Sequence, residues 1–352
     1  MTSNLSVSSN LSVSIIVGSP KNSKVVIGFN HIGQQPGLCG EVWVIDITTT
    51  TTNITKIMHN FGKYVTNIIF LDDDTIAVVS SEENRNKNVR IFGIFKNGTI
   101  RYICSLESTD GSRETCIAVN SSKTIIVTGD SKFLKSYRIN ADGTTHSLLY
   151  FERPRQDEFS RIKEIKFHPL HPNILLVAAG KIISQYEMSD SGKFTLLAIL
   201  DEKHPDCIMS LQFSPDGRYI VSGSFNYRKN DTIKCIVWTD DGINPPIFKQ
   251  ELPGHTMSVK SVSFSCDGKY LATGSSDQTI RIWDTDKDKD IWVCKAVLGE
   301  PNDGPNYNFI ESVMFHPTDP NLLISGSSTG EVIFWRLFDG NWTVERVIRG
   351  NE

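Results

Sequence analysis

The chain lacks paired cysteines, long apolar runs and an excess of one charge, and each absence removes a class of protein. Seven cysteines, Cys39, Cys104, Cys116, Cys207, Cys235, Cys266 and Cys294, are spread over 352 residues. Their number is odd and no two stand at C-x-x-C spacing, so neither a disulfide framework nor a zinc site is expected. Reduced, mostly buried thiols fit a cytoplasmic or nuclear protein. No apolar run reaches the roughly 18 residues of a membrane span, so no membrane association is expected. The opening MTSNLSVSSNLSVSIIVGSP has no basic n-region and no apolar run of signal-peptide length, so the protein is expected not to be secreted. The Asn-x-Ser/Thr sequons at Asn53, Asn97 and Asn341 then read as chance matches. Lysine and arginine number 36 against 40 acidic residues, a formal net charge of −4. Such a balance offers no global field to nucleic acid or to an anionic surface, so direct nucleic-acid binding is not expected.

Signatures of chemistry are missing too. No G-x-x-x-x-G-K-[ST] or G-x-G-x-x-G lies between a strand and a helix, and there is no G-x-S-x-G elbow. No cofactor and no small-molecule substrate are expected. His168 and His171 in "FHPLHPN" flank prolines, and "FHPTDPN" repeats the pattern at His316. They read as turn residues rather than metal ligands.

What is present is a repeat of about fifty residues. Its most explicit unit runs from Gly254–His255 through "SVKSVSFSCDGKYLATGSSDQTIRIWD" to Trp283–Asp284. Its β-type runs are 259–264, 270–273 and 279–283, with turns between and a fourth run at 291–298. Four short strands joined by tight turns make an antiparallel meander. The large apolar residue closing the third run recurs as Ile45, Phe92, Tyr137, Tyr186, Trp238, Trp283 and Trp335, at intervals of 45 to 52 residues. The last unit's fourth run is 343–348. One four-stranded sheet cannot bury both faces, whereas seven stacked radially can. Residues 1–10 are expected to be a flexible tail and 11–350 a single propeller domain.

The unit from Gly254 to Asp284 resembles the WD40 repeat, with its Gly-His start and Trp-Asp end. The units ending at Trp238 and Trp335 resemble it less closely, and the first four are degenerate. The resemblance implies an all-β fold, a seven-bladed WD40-type β-propeller with four antiparallel strands per blade. It also implies a hydrogen-bonded set within one blade, which falls here on His255, Thr273, Ser275, Asp277 and Trp283. Its role is structural, since it satisfies buried polar groups and fixes the turn before the third strand. His204 stands nine residues before Phe213, as His255 does before Phe264. The other five units have no histidine there and are expected to hold their turns by packing alone. Asp231 lies seven rather than six residues before its tryptophan, which points to a bulge or register slip.

Strands lining the central channel are expected at 14–17, 66–69, 115–119, 163–167, 209–213, 261–264 and 312–315. They offer mainly Ser, Thr, Asn and aliphatic side chains, with Glu164 and Glu311 as exceptions. Connections from second to third strands, and from fourth strands to the next first, share one face. That face carries the insertions 31–40, 82–88, 151–161, 225–231 and 299–309, whereas the opposite turns "NADG", "SDSG", "DDG" and "FDG" are short. Loop elaboration on one face of a rigid scaffold marks a binding face. Its candidate partner-binding residues are Arg153, Arg155, Phe159, Tyr227, Arg228, Tyr307 and Phe309. They mix with Glu152, Asp157, Glu158, Asp206 and Asp303, which suits proteins or peptides of a multi-subunit complex better than phosphates.

The expected function is a non-catalytic scaffold or adaptor. A first alternative is a methyl-lysine histone-tail reader, as in the Polycomb WD-repeat subunit that "IKEIKFHPLHPN" resembles. It requires three rings converging at the channel mouth from among Phe61, Tyr64, Phe159, Tyr227 and Tyr307. A second is a propeller hydrolase with a channel site, which needs converging carboxylates.

Overall fold

Among the described residues of the computed structural model, 28 strands form seven sheets, each of four consecutive antiparallel strands. The structure describes residues 11–31, 40–47, 53–57, 61–62, 64–80, 89–95, 99–106, 114–130, 133–140, 146–152, 161–200, 204–225, 235–242, 244–285, 291–299 and 308–349. The blades span 11–57, 65–106, 116–152, 162–199, 208–251, 259–298 and 310–349. The expected tail at 1–10 lies outside the described residues. Among the described residues no helix is long and apolar enough to cross a membrane.

The first strand of every blade touches the first strand of the next, and Ile310–Phe315 of blade 7 touches Leu11–Gly18 of blade 1. Among the described residues the ring therefore closes without strand exchange, each sheet being made of four consecutive strands.

The core is divided into seven apolar layers, one between each pair of neighbouring blades. Strand periodicity supplies both faces of each sheet. Along Lys24–His31, Val25, Ile27 and Phe29 pack in the layer shared with blade 7, while Val26 packs toward blade 2. Second strands thus read as continuous apolar runs because both of their faces are covered.

The seven recurring plugs occupy one register. Ile45, Phe92, Tyr137, Tyr186, Trp238, Trp283 and Trp335 pair with Val25, Ile76, Ile126, Leu175, Ile220, Leu271 and Leu323 of their second strands. In six blades the pairing of third with fourth strand slips immediately before the plug. Blade 1, whose plug is Ile45, has no slip there. A bulge accompanies every aromatic plug, and the smaller isoleucine is paired without one.

Strand ends differ from expectation for local reasons. The third strand of blade 6 is Ile280–Asp284, because Thr279 is held in the turn by its bond to Asp277. The fourth begins at Val293, because Trp292 turns inward against Tyr219 and Phe264. The last strand, Asn341–Arg349, is longer than 343–348, because Asp339 and Gly340 take positive φ of 47° and 78° in a tight hairpin.

Candidate functional site

His255, Thr273, Ser275, Asp277 and Trp283 come together inside blade 6, all buried. His255 Nε2 lies 2.7 Å from Thr273 Oγ1, to which Trp283 Nε1 donates at 3.0 Å. His255 Nδ1 lies 2.8 Å from Asp277 Oδ2. The Thr256 and Thr279 amides donate to the Asp277 carboxylate, as does the Thr279 hydroxyl. Ser275 Oγ accepts from the Asp277 amide and donates to the Met257 carbonyl. Burial pushes the Asp277 carboxyl up, but its bond to His255, the histidine's charge and the Thr279 and Thr256 donors outweigh this. The carboxyl is held well below the usual range. Every polar group here faces a turn or a neighbouring strand, so the set ties three segments of one blade together.

Blade 5 repeats part of the arrangement, with His204 Nε2 bonded to Ser222 Oγ. Blade 7 keeps the indole bond, Trp335 Nε1 to Ser325 Oγ at 2.8 Å. The expectation that the blades without histidine rely on packing alone is overturned in blades 1 and 3. In blade 3, Lys135 Nζ lies 3.1 Å from Glu114 Oε1 and 3.3 Å from Asp130 Oδ2, all three side chains at most 4% exposed. Glu114 precedes the first strand, Asp130 follows the second and Lys135 lies in the third, so a buried ion triad ties that blade. Burial raises the Glu114 carboxyl, and Lys135 opposes the shift. In blade 1, Trp43 Nε1 donates to Glu41, whose carboxylate also meets His31 at 3.4 Å. Asp231 lies outside the described residues.

The ring encloses a channel of about 300 Å³. First strands pair irregularly with second strands in six blades, and the residues skipped are Ser14, Thr66, Lys163, Met209, Lys260 and Glu311. All six line the channel. A bulge re-aims one side chain per blade from the sheet toward the axis. Sequence reasoning named Glu164 and Glu311 but passed over Lys260 and Arg161, and so missed the basic side chains of the lining. Lys260 pairs with Glu311 at 3.2 Å and Glu164 pairs with Lys166 at 3.0 Å. A positional signal was present: Met209, Lys260 and Glu311 each follow the buried residue that opens its strand, Ile208, Val259 or Ile310.

Free amides on the axial edges are capped across blades. Val262 N donates to Ser210 Oγ, Val313 N to Ser261 Oγ, and Ile16 N to Ser312 Oγ, at 3.1 to 3.2 Å. The last of these joins blade 7 to blade 1. The hydroxyls of the inner strands thus satisfy edge groups that no strand pairs.

Of the candidate docking residues, Arg153, Arg155, Phe159, Tyr227, Arg228 and Tyr307 lie outside the described residues. Phe309 is half-buried, its amide donating to Ser328 Oγ at 3.0 Å and its carbonyl accepting from the Ser328 amide at 2.8 Å. The opposite rim is not uniformly short-turned. There the third and fourth strands are joined through 47–52 in blade 1 and 285–292 in blade 6. No aromatic ring lines the channel among the described residues. Phe61 is buried against Phe92, while Tyr64 is 41% exposed. Among the described residues no three His, Cys, Asp or Glu side chains are grouped to hold a metal.

The WD40 family profile, "WD domain, G-beta repeat", matches residues 194–236 and 247–284. The chain is a seven-bladed β-propeller that carries WD40 repeats in these two segments. This propeller is 32% identical over 138 residues to Protein HIRA of Dictyostelium discoideum, covering 34% of the chain and 12% of that relative. It is 30% identical over 128 residues to Protein LST8 homolog of Drosophila melanogaster, covering 33% of the chain and 36% of the relative. Over 179 residues it is 27% identical to the probable cytosolic iron-sulfur protein assembly protein 1 of Meyerozyma guilliermondii, covering 40% of the chain and 44% of the relative. The propeller therefore matches less than half the length of each of these relatives. Its fold is similar to that of Chaetomium thermophilum Sqt1, crystallised bound to the N-terminus of ribosomal protein L10. The TM-score is 0.67 at 15% identity, covering 97% of the propeller and 89% of Sqt1.

Proposed function

We propose that this propeller is a non-catalytic adaptor. It docks a peptide segment or a folded protein on its insertion-bearing rim, within a cytoplasmic or nuclear multi-subunit complex. The observation that carries the reading is the distribution of long connections. Segments 32–39, 81–88, 153–160, 226–234 and 300–307 all join second to third strands or fourth strands to the next first. The strand ends that bound them therefore share one rim, at one mouth of the channel. A rigid ring that concentrates chain length on one rim presents adaptable contacts on a fixed frame. Sqt1 with its bound ribosomal-protein N-terminus is an example of this fold holding a peptide.

The mixed signs in these connections favour protein ligands over phosphate-bearing ones. The test is affinity purification from the native organism, comparing wild type with an Arg153→Glu, Arg228→Glu double variant. Loss of co-purifying proteins with unchanged thermal stability is expected. An unchanged set of partners overturns the assignment of this rim.

A further inference from the structure

On the opposite rim, the groove between blades 4 and 5 is built differently from the two grooves that follow it. Between blades 5 and 6, Trp292 covers the groove, its ring 5.0 Å from Tyr219 and 5.9 Å from Phe264. Between blades 6 and 7, Trp342 lies 6.3 Å from Tyr270 and 5.8 Å from Phe315. The corresponding segment of blade 5 runs Asn244-Pro245-Pro246-Ile247 and supplies no ring, and Ile247 stands 67% exposed. What remains is a cavity of about 470 Å³, lined by His168, Leu170 and His171 of blade 4 and by Asp216–Tyr219 and Thr239–Asp241 of blade 5.

Two turns shape the cavity. Gly217 and Gly242 both take φ of +73°, and a Cβ at either would collide with an imidazole, that of His168 or His171 respectively. Both glycines are therefore required by conformation and by space. His168 Nδ1 accepts from the Leu170 and His171 amides at 3.1 and 3.0 Å, which fixes that ring as a wall.

The charges in the lining are unequally engaged. Asp216 takes the Ser214 hydroxyl and faces Arg218 at 3.9 Å. Asp241 is occupied by the amide and the side chain of Asn244, at 2.7 and 2.8 Å. Asp240 is different. It is 5% exposed, its Oδ1 accepts from the Gly242 amide at 2.8 Å, and its Oδ2 has no partner. A buried carboxylate with an unpaired oxygen is costly, and a cation delivered from outside removes that cost. Beside it, Leu170 is 63% exposed, an apolar wall suited to a methylene stem.

We propose that this groove receives one basic side chain, lysine or arginine, from a partner protein segment. The charged head reaches Asp240 and the stem lies along Leu170. This second contact is on the far rim from the insertion connections and does not depend on which partner those recruit.

The test is NMR of the intact chain with labelled histidines, following the His168 and His171 ring resonances. N-acetyl-arginine amide, N-acetyl-lysine amide and the neutral N-acetyl-norleucine amide are titrated separately. Saturable shifts are expected with the two cationic probes, and binding about tenfold or more weaker with norleucine, the ratio set by one charged hydrogen bond. Asp240→Asn keeps the volume and the Gly242 contact, and should lose the same factor. Leu170→Ser changes only an exposed side chain and should weaken both cationic probes, which decides the matter should Asp240→Asn fail to fold. Equal binding of norleucine, wild-type titration of Asp240→Asn, or no saturable shift overturns the proposal.

Discussion

The seam between blades 7 and 1 joins the first blade to the last, and among the described residues no strand crosses it. Gly326, in the second strand of blade 7, lies against the first strand of blade 1. A Cβ added there would stand 2.8 Å from Val13 Cβ and 3.0 Å from Ile16 Cδ1, with Val13 Cγ1 closer still. Ordinary carbon contacts lie near 3.5–4.0 Å, so Gly326→Ala pushes the blades apart by roughly 1 Å. Overpacking of this kind costs about 1–3 kcal/mol, partly offset by the roughly 0.5–1 kcal/mol gained when alanine replaces glycine in a strand. A net loss of about 1–2 kcal/mol is expected in urea unfolding. Val13→Ala alone leaves a cavity and is also destabilising. The double variant exchanges one clash for one vacancy, so it should be more stable than the two single effects add to, by about 0.5–3 kcal/mol. Strict additivity, within about 0.3–0.5 kcal/mol, would refute the closed seam. Gly274→Ala is the control. It meets Ile310 at 2.7 Å between blades joined in sequence, and Val13→Ala should not rescue it.

Four further outcomes follow from the same geometry. Asp277→Asn should cost about 1.5–3 kcal/mol at neutral pH in chemical denaturation. Because the folded Asp277 carboxyl lies below its usual value, its contribution is present above that value and is lost as pH falls, so the deficit of the variant should shrink in acid. His168, whose ring is lowered to about 4 by burial and by His171, should drain stability from wild type as pH falls from about 6.5 toward 4, since the unfolded chain binds the proton first. His168→Asn should flatten that slope in a series of unfolding curves. Lys135→Met strands Glu114 and Asp130 in the core and should cost about 3–5 kcal/mol, growing as pH rises through the carboxylate range, by thermal unfolding at several pH values. Trp292→Ala should cost about 3–5 kcal/mol, since it empties a covered groove, and calorimetry reads it directly.

Much of the fold was legible because burial in a propeller is periodic. Second strands such as Ile174–Ala179 and Leu322–Ser327 are covered on both faces and so read as apolar runs between turns. The plugs recur because each must fill the same place in a blade. The insertion rim follows from alternation of strand direction alone. The bulges change backbone pairing rather than composition, so their one mark is positional, a residue that follows the buried residue opening its strand. Lys260 was missed as a channel residue for that reason, lying one position before the run taken as the inner strand. The blade 3 triad was hidden because Lys135 in "FLKSYR" has the look of a surface lysine. Only the fold brings Glu114 and Asp130 to it. The groove beside Asp240 is an absence, a missing tryptophan equivalent, visible once Trp292 and Trp342 are seen covering the two grooves that follow it.

The adaptor reading is tested most directly by hydrogen–deuterium exchange of the chain alone and with a purified partner. Amides in 32–39, 81–88, 153–160, 226–234 and 300–307 should slow markedly on binding, most strongly in contiguous blades, while the outer strands exchange as before. A partner that binds tightly yet leaves every one of these connections exchanging at its free rate contradicts the account.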